Sequence, residues 1–339
     1  MPKISIIVPV FNSAPFLLRC LNSLAGQSLE DIETIIVVDE GSKDDSSQIV
    51  ESFVANHEGI FRSIRTPHSG PGEARNRGFS LATSDYIAFV DSDDYVDRRY
   101  CESPLLMAER TGADIVCFSA RMVNEYRGTE RIIDPGVAPG MGPRKAIMSA
   151  TVMVWDKLYR RSFLDRCRLH YPPFFHEDLA ETPRLFAFEP KIEVLRETLY
   201  YYVKRLDSAS GISMNVLDMD ILRVARMLLD YTLQYPRFSA EFEYLAIRQL
   251  EGFCGACAGR TEDWAQKGAV EAQALLDSLQ VARHDNPYFL LDDAKSFNAK
   301  KIIITILATL RKLIVGRLRI YPKLFLAIER LKFGKKKPA

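Results

Sequence analysis

Two stretches decide the fold: Ile35-Ile36-Val37-Val38-Asp39-Glu40-Gly41-Ser42 and Tyr86-Ile87-Ala88-Phe89-Val90-Asp91-Ser92-Asp93-Asp94. Each is a short apolar run, rich in residues that suit a pleated surface, and each ends in carboxylates. A continuous apolar run of this length reads as a strand buried on both faces. Both strands therefore deliver acids to a sheet edge. In open α/β sheets, ligands bind just beyond the carboxyl ends of the strands. Two acidic ends of this kind suggest one cleft that holds a nucleotide and a hard metal ion.

The neighbouring sequence fits. Ile4 to Val10 is a first strand. Ala14 to Ala25 has helical apolar spacing through Leu17, Leu18, Leu21 and Leu24, and Ile32 to Val38 is the second strand. Ser42-Lys43-Asp44-Asp45 caps a helix reaching about Asn56. Phe61 to Arg65 is a third strand, and the loop His68-Ser69-Gly70-Pro71-Gly72 feeds a helix from Glu73 to Leu81. Asp85 to Val90, a helix from Arg98 to Thr111 and a strand from Asp114 to Phe118 follow. This alternation predicts an α/β fold, a mostly parallel nucleotide-binding sheet flanked by helices. After Phe118 the rhythm changes. Residues 124–143 are polar with some strand character, Ala180 to Phe188 is helical and Ile192 to Tyr202 a strand. Helices are expected over 216–234, 238–256, 263–283, 300–318 and 322–333.

The 339 residues are 47% hydrophobic and 26% charged, ordinary for a folded protein, with a net charge of +1. The charge is uneven. Residues 295–339 hold thirteen Lys/Arg against Glu329 alone, a net of +12, which leaves −11 on residues 1–294. Six cysteines do not make a disulfide scaffold in a chain this long. Cys254 and Cys257 form a CxxC without a second pair or a suitable His. Their small neighbours Gly255 and Ala256 fit a helix-packing contact better. Pro2-Lys3 runs straight into a strand, so no secretory leader is expected and a cytoplasmic catalytic body is the simplest reading.

Taken in order, Ile6-Ile7-Val8-Pro9-Val10-Phe11-Asn12, Val37-Val38-Asp39-Glu40-Gly41-Ser42, Gly72-Glu73-Ala74-Arg75-Asn76-Arg77-Gly78 and Phe89-Val90-Asp91-Ser92-Asp93-Asp94 resemble the inverting glycosyltransferases of family 2, with the GT-A fold. The resemblance is dense over residues 3–120. It continues to about 213 through Trp155-Asp156-Lys157-Leu158-Tyr159-Arg160, His176-Glu177-Asp178 and the stretch from Tyr200 to Ser213. It implies a GT-A catalytic domain over 1–213, with a nucleotide-sugar half at 1–120 and an acceptor half at 121–213. A helical extension at 214–294 and a basic amphipathic tail at 295–339 complete the expected organisation. The tail loosely resembles appendages of bacterial enzymes of surface polysaccharide or teichoic acid glycosylation.

Asp91 and Asp93, two positions apart at a strand end, offer hard oxygen ligands suited to Mn²⁺ or Mg²⁺ together with donor phosphates. The resemblance implies that Asp93 binds the metal and that Asp91 helps hold the ribose or the metal, with Ser92 between them in the donor-binding set. By chemistry alone, Asp-Ser-Asp-Asp is equally a solvated turn and helix cap. Asp94 is either a supporting acceptor or that cap. The resemblance assigns Asp39 to the nucleotide base and lets Pro9 and Phe11 contact base and ribose, although Phe11 also reads as a core aromatic. Glu40 stands where the family usually has Asp, and its extra methylene moves the carboxylate outward. Arg75, near a helix start, carries a fork of donors for ribose or diphosphate oxygens. Asn76 either supports the donor turn or contacts ligand.

Inverting transfer needs a base for the acceptor hydroxyl. The resemblance points to Asp178, with Glu177 as runner-up or orienting partner. Adjacent carboxylates at a helix start also read as caps. Lys157 and Arg205 are cationic candidates for the donor, or surface cations, and the segment from Ser208 to Ser213 resembles a closing loop. Trp155 reads as an acceptor-stacking ring or a buried aromatic. The implied partners are a nucleoside-diphosphate sugar, UDP-linked by preference, and a saccharide, polymer or lipid-linked acceptor. Apolar stripes through Ile303, Ile306, Leu310, Leu313 and Leu324, Phe325, Ile328 beside Lys335-Lys336-Lys337 suit helices lying on an anionic membrane through residues 300–337. Helix packing against the body or a homo-oligomer is the competing reading. Nucleic acid is not expected, since no reader module is present. The other functional classes are a catalytically silent sugar-nucleotide-binding subunit and a nucleotidyltransferase.

Overall fold

A computed structural model of the chain describes residues 2–204, 219–279 and 286–289. Four parallel strands make the first half of one sheet: β1 (Ile4–Val10), β2 (Ile32–Asp39), β3 (Phe61–Thr66) and β4 (Tyr86–Phe89). They lie in the order β3-β2-β1-β4, with Ile4 opposite both Ile32 and Tyr86. β1, β2 and β4 are nearly all buried, which is why they read as unbroken apolar runs, whereas the edge strand β3 alternates. β1 is flanked by β2 on one side and β4 on the other. The strand order therefore reverses there, and the crevice of such a switch point opens at the carboxyl ends. Asp39 ends β2 and Asp91 follows β4, one on each side of that crevice.

Helix α1 (Ala14–Ala25) coincides with its apolar spacing, and α2 (Ser46–Ala55) starts where the acidic cluster predicts. There the Asp44 carboxylate accepts the backbone N–H of Ser46 at 3.1 Å and that of Ala14 at 2.9 Å, so one side chain satisfies the first N–H of α2 and ties down the start of α1. Helix α3 (Gly70–Leu81) starts three residues before the expected position. Gly70-Pro71-Gly72 looks like loop, but Pro is favoured in a first helical turn. The two other glycines of α3 serve close approach. A Cβ on Gly78 would lie 2.4 Å from Ile7 Cγ2, so α3 presses directly on β1.

Beyond β4 the sheet becomes mixed. The short β5 (Tyr95–Val96) leads to α4 (Glu102–Thr111), and β6 (Ile115–Asn124) forms a hairpin with β7 (Thr129–Ile133). β6 outruns its predicted apolar stretch because its second half is only partly buried. After α5 (Pro143–Ser149), β8 (Lys157–Arg160) inserts antiparallel between β4 and β6. Then come α6 (Arg161–Arg166), α7 (Asp178–Phe186) and β9 (Ile192–Lys204), which runs parallel to β6 and antiparallel to β5. The full order is β3-β2-β1-β4-β8-β6-β9-β5, with β7 on β6.

Helices α8 (Asp220–Gln234), α9 (Ser239–Cys257) and α10 (Asp263–Ser278) follow. α8 packs on α7 and α9, and α9 on α5. Their contacts place α8 and α9 in one unit with the sheet, spanning 1–274; a second unit spans 275–339. The predicted helices at 300–318 and 322–333, and the segment from Arg205 to Ser213, lie outside the described residues. Among the described residues no helix is long and apolar enough to cross a membrane. All six cysteines are free thiols. The expected helix contact at Gly255 and Ala256 is corrected: both are exposed, and nothing lies within 4 Å of a Cβ added at Gly255. The close approach is made by Gly268, against Phe253 and Met219.

Gly78→Ala forces a methyl into the β-branched side chain of Ile7. Urea unfolding should show a loss of about 1–3 kcal/mol, the usual range for overpacking a core. An unchanged midpoint would mean that α3 does not press on β1 as described.

Candidate active site

The turn after β4 carries Asp91, Ser92, Asp93 and Asp94, and neighbours hold it on every side. Asp94 is 1% exposed. Its carboxylate accepts the Tyr200 hydroxyl at 2.7 Å and the Val203 N–H at 2.7 Å, and the same hydroxyl accepts the Asp91 N–H at 3.1 Å. Burial, together with Asp93 and Asp91, holds the Asp94 carboxyl well above the usual carboxylate range. Asp94 is thus the supporting acceptor of the two expected roles, linking the turn to β9. Tyr200 is fixed in turn by stacking on Trp155, centroids 4.2 Å apart and 8° from parallel. Trp155 is itself 4% exposed, so it is a buried aromatic rather than an open platform. Ser92 is also buried, its hydroxyl 2.7 Å from that of Ser13, and it braces the turn against the start of α1. Asp91 is partly exposed, and Asp93 likewise.

Across the crevice, Asp39 is buried at the end of β2. One carboxylate oxygen accepts the Gly41 N–H at 2.7 Å, and the other lies 2.8 Å from His68 Nδ1. The His68 ring sits 4.8 Å from the ring of Phe11, which is 44% exposed. Phe11 is therefore a rim residue and not part of the core. Pro9 is half-buried in β1, opposite Val37. Glu40 is exposed, as its longer side chain predicts. His68 is the residue that sequence reading missed. Its sole signal was its place in the loop after β3, the third strand to end at this edge.

Arg75, on α3, joins the two acidic motifs. It is 6% exposed. Nη2 donates to Asp91 Oδ1 at 2.8 Å, and Nη1 donates to Glu177 Oε1. The two carboxylates keep the guanidinium charged against the cost of its burial. Glu177 is buried and Asp178, at the first position of α7, is largely so but keeps some exposure. Burial, reinforced by the Glu177 carboxylate, pushes Asp178 up to about 7, although Arg75 and the Leu179 N–H oppose the shift. A carboxylate in that range can exchange a proton near neutral pH. Asn76 is partly buried and bonds the backbone of Tyr171, accepting its N–H and donating to its carbonyl, each at 2.8 Å.

One expected donor contact is not brought to the crevice. Lys157 is fully buried in β8, and its ammonium donates to the carbonyls of Thr151 at 2.9 Å and Met153 at 2.7 Å, to Thr151 Oγ1 at 3.0 Å and to Asp156. With every donor directed at these acceptors, it organises the 151–156 segment and cannot reach a phosphate. Its partner was legible: Asp156 is adjacent, and Lys157 shares a strand face with the fully buried Tyr159. Arg205 lies outside the described residues.

Asp91 and Asp93 supply only oxygen donors, the ligand type that Mg²⁺ and Mn²⁺ prefer. Among the described residues no three His, Cys, Asp or Glu converge to form a metal cage. The pair therefore fits an ion that takes its remaining oxygens from a bound phosphate or water, not an ion enclosed by protein.

Residues 5–164 match the family model described as Glycosyl transferase family 2. EpsH of Bacillus subtilis (strain 168) is 33% identical over 219 residues, covering 61% of this chain and 62% of EpsH. The poly(ribitol-phosphate) beta-N-acetylglucosaminyltransferase TarS of Staphylococcus aureus (strain Mu50 / ATCC 700699) is 28% identical over 231 residues, 67% of this chain and 40% of TarS. The match thus spans less than two thirds of either relative. In fold, the chain is similar to S. aureus TarS 1-349 in complex with UDP-GlcNAc. The TM-score is 0.63 at 23% identity, over 80% of this chain and 79% of that one.

Removing the ammonium in Lys157→Met leaves Asp156 buried without its counter-charge. The expected loss is about 3–5 kcal/mol of stability in denaturant unfolding, the range for breaking a buried pair. A loss below 1 kcal/mol would contradict the enclosed position of Lys157.

Proposed function

We propose that this chain, a member of glycosyltransferase family 2 through residues 5–164, moves a sugar with inversion from a nucleoside-diphosphate sugar to a hydroxyl of a cell-envelope saccharide, polymer or lipid-linked acceptor. The observation that carries the proposal is the meeting of three acidic elements at one sheet edge: Asp39 at the end of β2, the Asp91–Asp94 turn after β4, and Glu177-Asp178 at the start of α7. A UDP-sugar is the favoured donor, because the TarS structures of similar fold carry UDP-GlcNAc and UDP. TarS is also named for action on poly(ribitol-phosphate), which supports an envelope polymer as acceptor.

The residue roles in this proposal are those the family resemblance implies, and the observed positions are compatible with them. Asp39, oriented by Gly41 and His68, accepts from the N–H edge of the base, with Pro9 and Phe11 beside it. Asp91 receives the ribose, and Asp91 with Asp93 would hold a divalent ion against the diphosphate. That ion, when bound, neutralises charge on the departing nucleoside diphosphate. Asp178 takes the acceptor's hydroxyl proton as its oxygen attacks the anomeric carbon. The net +12 of residues 295–339 supports attachment to an anionic membrane surface, where lipid-linked acceptors would be met.

The test is release of nucleoside diphosphate from a panel of sugar nucleotides, with Mn²⁺ or Mg²⁺ and then with chelator. Turnover of one donor is expected, lost with chelator and reduced about 100-fold or more in Asp93→Ala. Turnover indifferent to both treatments would remove the metal from the proposal. The pH dependence has a defined sign. Because Asp178 is pushed up to about 7, it is largely protonated at pH 6 and cannot act as base there. kcat/KM should climb between pH 6 and 8, and Asp178→Asn should lose about 10²–10⁴-fold together with that climb. A pH profile flat across this window would move the base away from Asp178.

A further inference from the structure

We propose that Arg75 acts on transfer as a positioning residue: it holds the base-bearing segment against the donor turn and does not bind the donor diphosphate. The inference rests on the reading of Asp178 as the base. Gly72, Arg75 and Asn76 are spaced i, i+3, i+4 on α3 and so share one face. All three engage the segment from Tyr171 to Glu177. At Gly72 an added Cβ would lie 2.8 Å from the Pro172 carbonyl oxygen and 3.0 Å from Tyr171 Cβ, so only glycine lets the segment come this close. Asn76 closes a two-bond ring with the Tyr171 backbone. Arg75 lies with its guanidinium carbon 5.9 Å from the centre of the Tyr171 ring and donates to Glu177.

The other end of the fork donates to Asp91. A guanidinium presents its donors in a fixed plane, and here the two terminal nitrogens face carboxylates from opposite halves of the chain. Each terminal nitrogen is engaged by a carboxylate and the residue is 6% exposed, so little of the fork is within reach of a diphosphate. His176 completes the device. Its backbone is left-handed, φ 65°, and turns the chain so that Glu177 is buried at Arg75 while Asp178 keeps its exposure. The span from α3 to both motifs thus sets where Asp178 stands relative to a donor on Asp91. Errors of about 1 Å in such a span cost about 10²-fold in rate.

The experiment compares the full chain with Arg75→Lys and Glu177→Gln. It uses calorimetric binding of UDP with Mn²⁺, and kcat and KM for the donor that the wild type turns over. A lysine keeps the charge but cannot bridge both carboxylates. Expected for each variant is a fall in kcat of about 100-fold with the UDP Kd within about threefold of wild type. Glu177→Gln should also move the acidic limb of the kcat profile to lower pH. Of the groups around Asp178, Glu177 and Asp91 raise it while Arg75 and the Leu179 N–H lower it, and this variant deletes the first. A diphosphate ligand would behave differently. Arg75→Lys would then weaken UDP by about tenfold or more and keep kcat at saturating donor, while Glu177→Gln matched wild type in kcat and pH profile. That pattern overturns the inference alone. If Arg75→Lys does not fold, Glu177→Gln decides, and an unchanged kcat overturns it. A wild-type protein that releases nucleoside diphosphate from no donor overturns the proposed function, and this inference with it.

Discussion

One buried cation holds this site together. Arg75 sits in a region that collects Asp91, Asp93, Asp94, Glu177 and Asp178, and it bonds one carboxylate from each of the two acidic motifs. Burying a charge is costly unless it is paired and hydrogen-bonded. Here the cost is offset in both directions, since neither Glu177 nor the guanidinium would be tolerable alone. The remaining excess of negative charge has two outlets. Asp94 and Asp178 are pushed toward their neutral forms, while Asp91 and Asp93 stay open to solvent, where a cation can reach them. The same crowding of charge that leaves Asp91 and Asp93 at the crevice therefore also raises the proton affinity of Asp178.

Around this centre lies a layer of side chains that fix the carboxylates lining the crevice. Tyr200 is clamped by Trp155 and links Asp91 to Asp94. Ser13 and Ser92 bind the donor turn to α1. His68 and Gly41 occupy both oxygens of Asp39 and set its orientation. Lys157 fastens the 151–156 segment. Precision at a site of this kind depends on such supports, because the side chains that meet the substrate are held only as well as their neighbours hold them.

The features legible in the sequence were those that local chemistry dictates. Asp39 and Asp91 were found because an apolar run ending in acid has few readings other than a buried strand at a sheet edge. Asp178 was singled out through a resemblance, and its raised proton affinity was not legible, because the burial responsible arises from chain segments far apart in sequence. α3 was placed three residues late because Gly70-Pro71-Gly72 has loop composition, although Pro suits a first helical turn. Lys157 was given an outward role because sequence states a side chain's charge but not its direction. Its burial follows from tertiary packing of β8 between β4 and β6. His68 escaped notice for the converse reason: a loop histidine looks ordinary until the fold sets it beside Asp39.

The antiparallel insertion of β8 has a consequence for how the chain acquires its shape. β4 pairs on one side with β1, Ile4 opposite Tyr86, and on the other with β8, Ile87 opposite Tyr159. Both pairings join segments far apart in sequence, and such pairings form slowly, because the loop entropy is lost before the contacts return it. Without β8 the apolar edge of β4 would stand uncovered, and such edges invite pairing between chains. The strand that carries Lys157 into the interior therefore also serves as the cover of an edge that would otherwise be a template for aggregation.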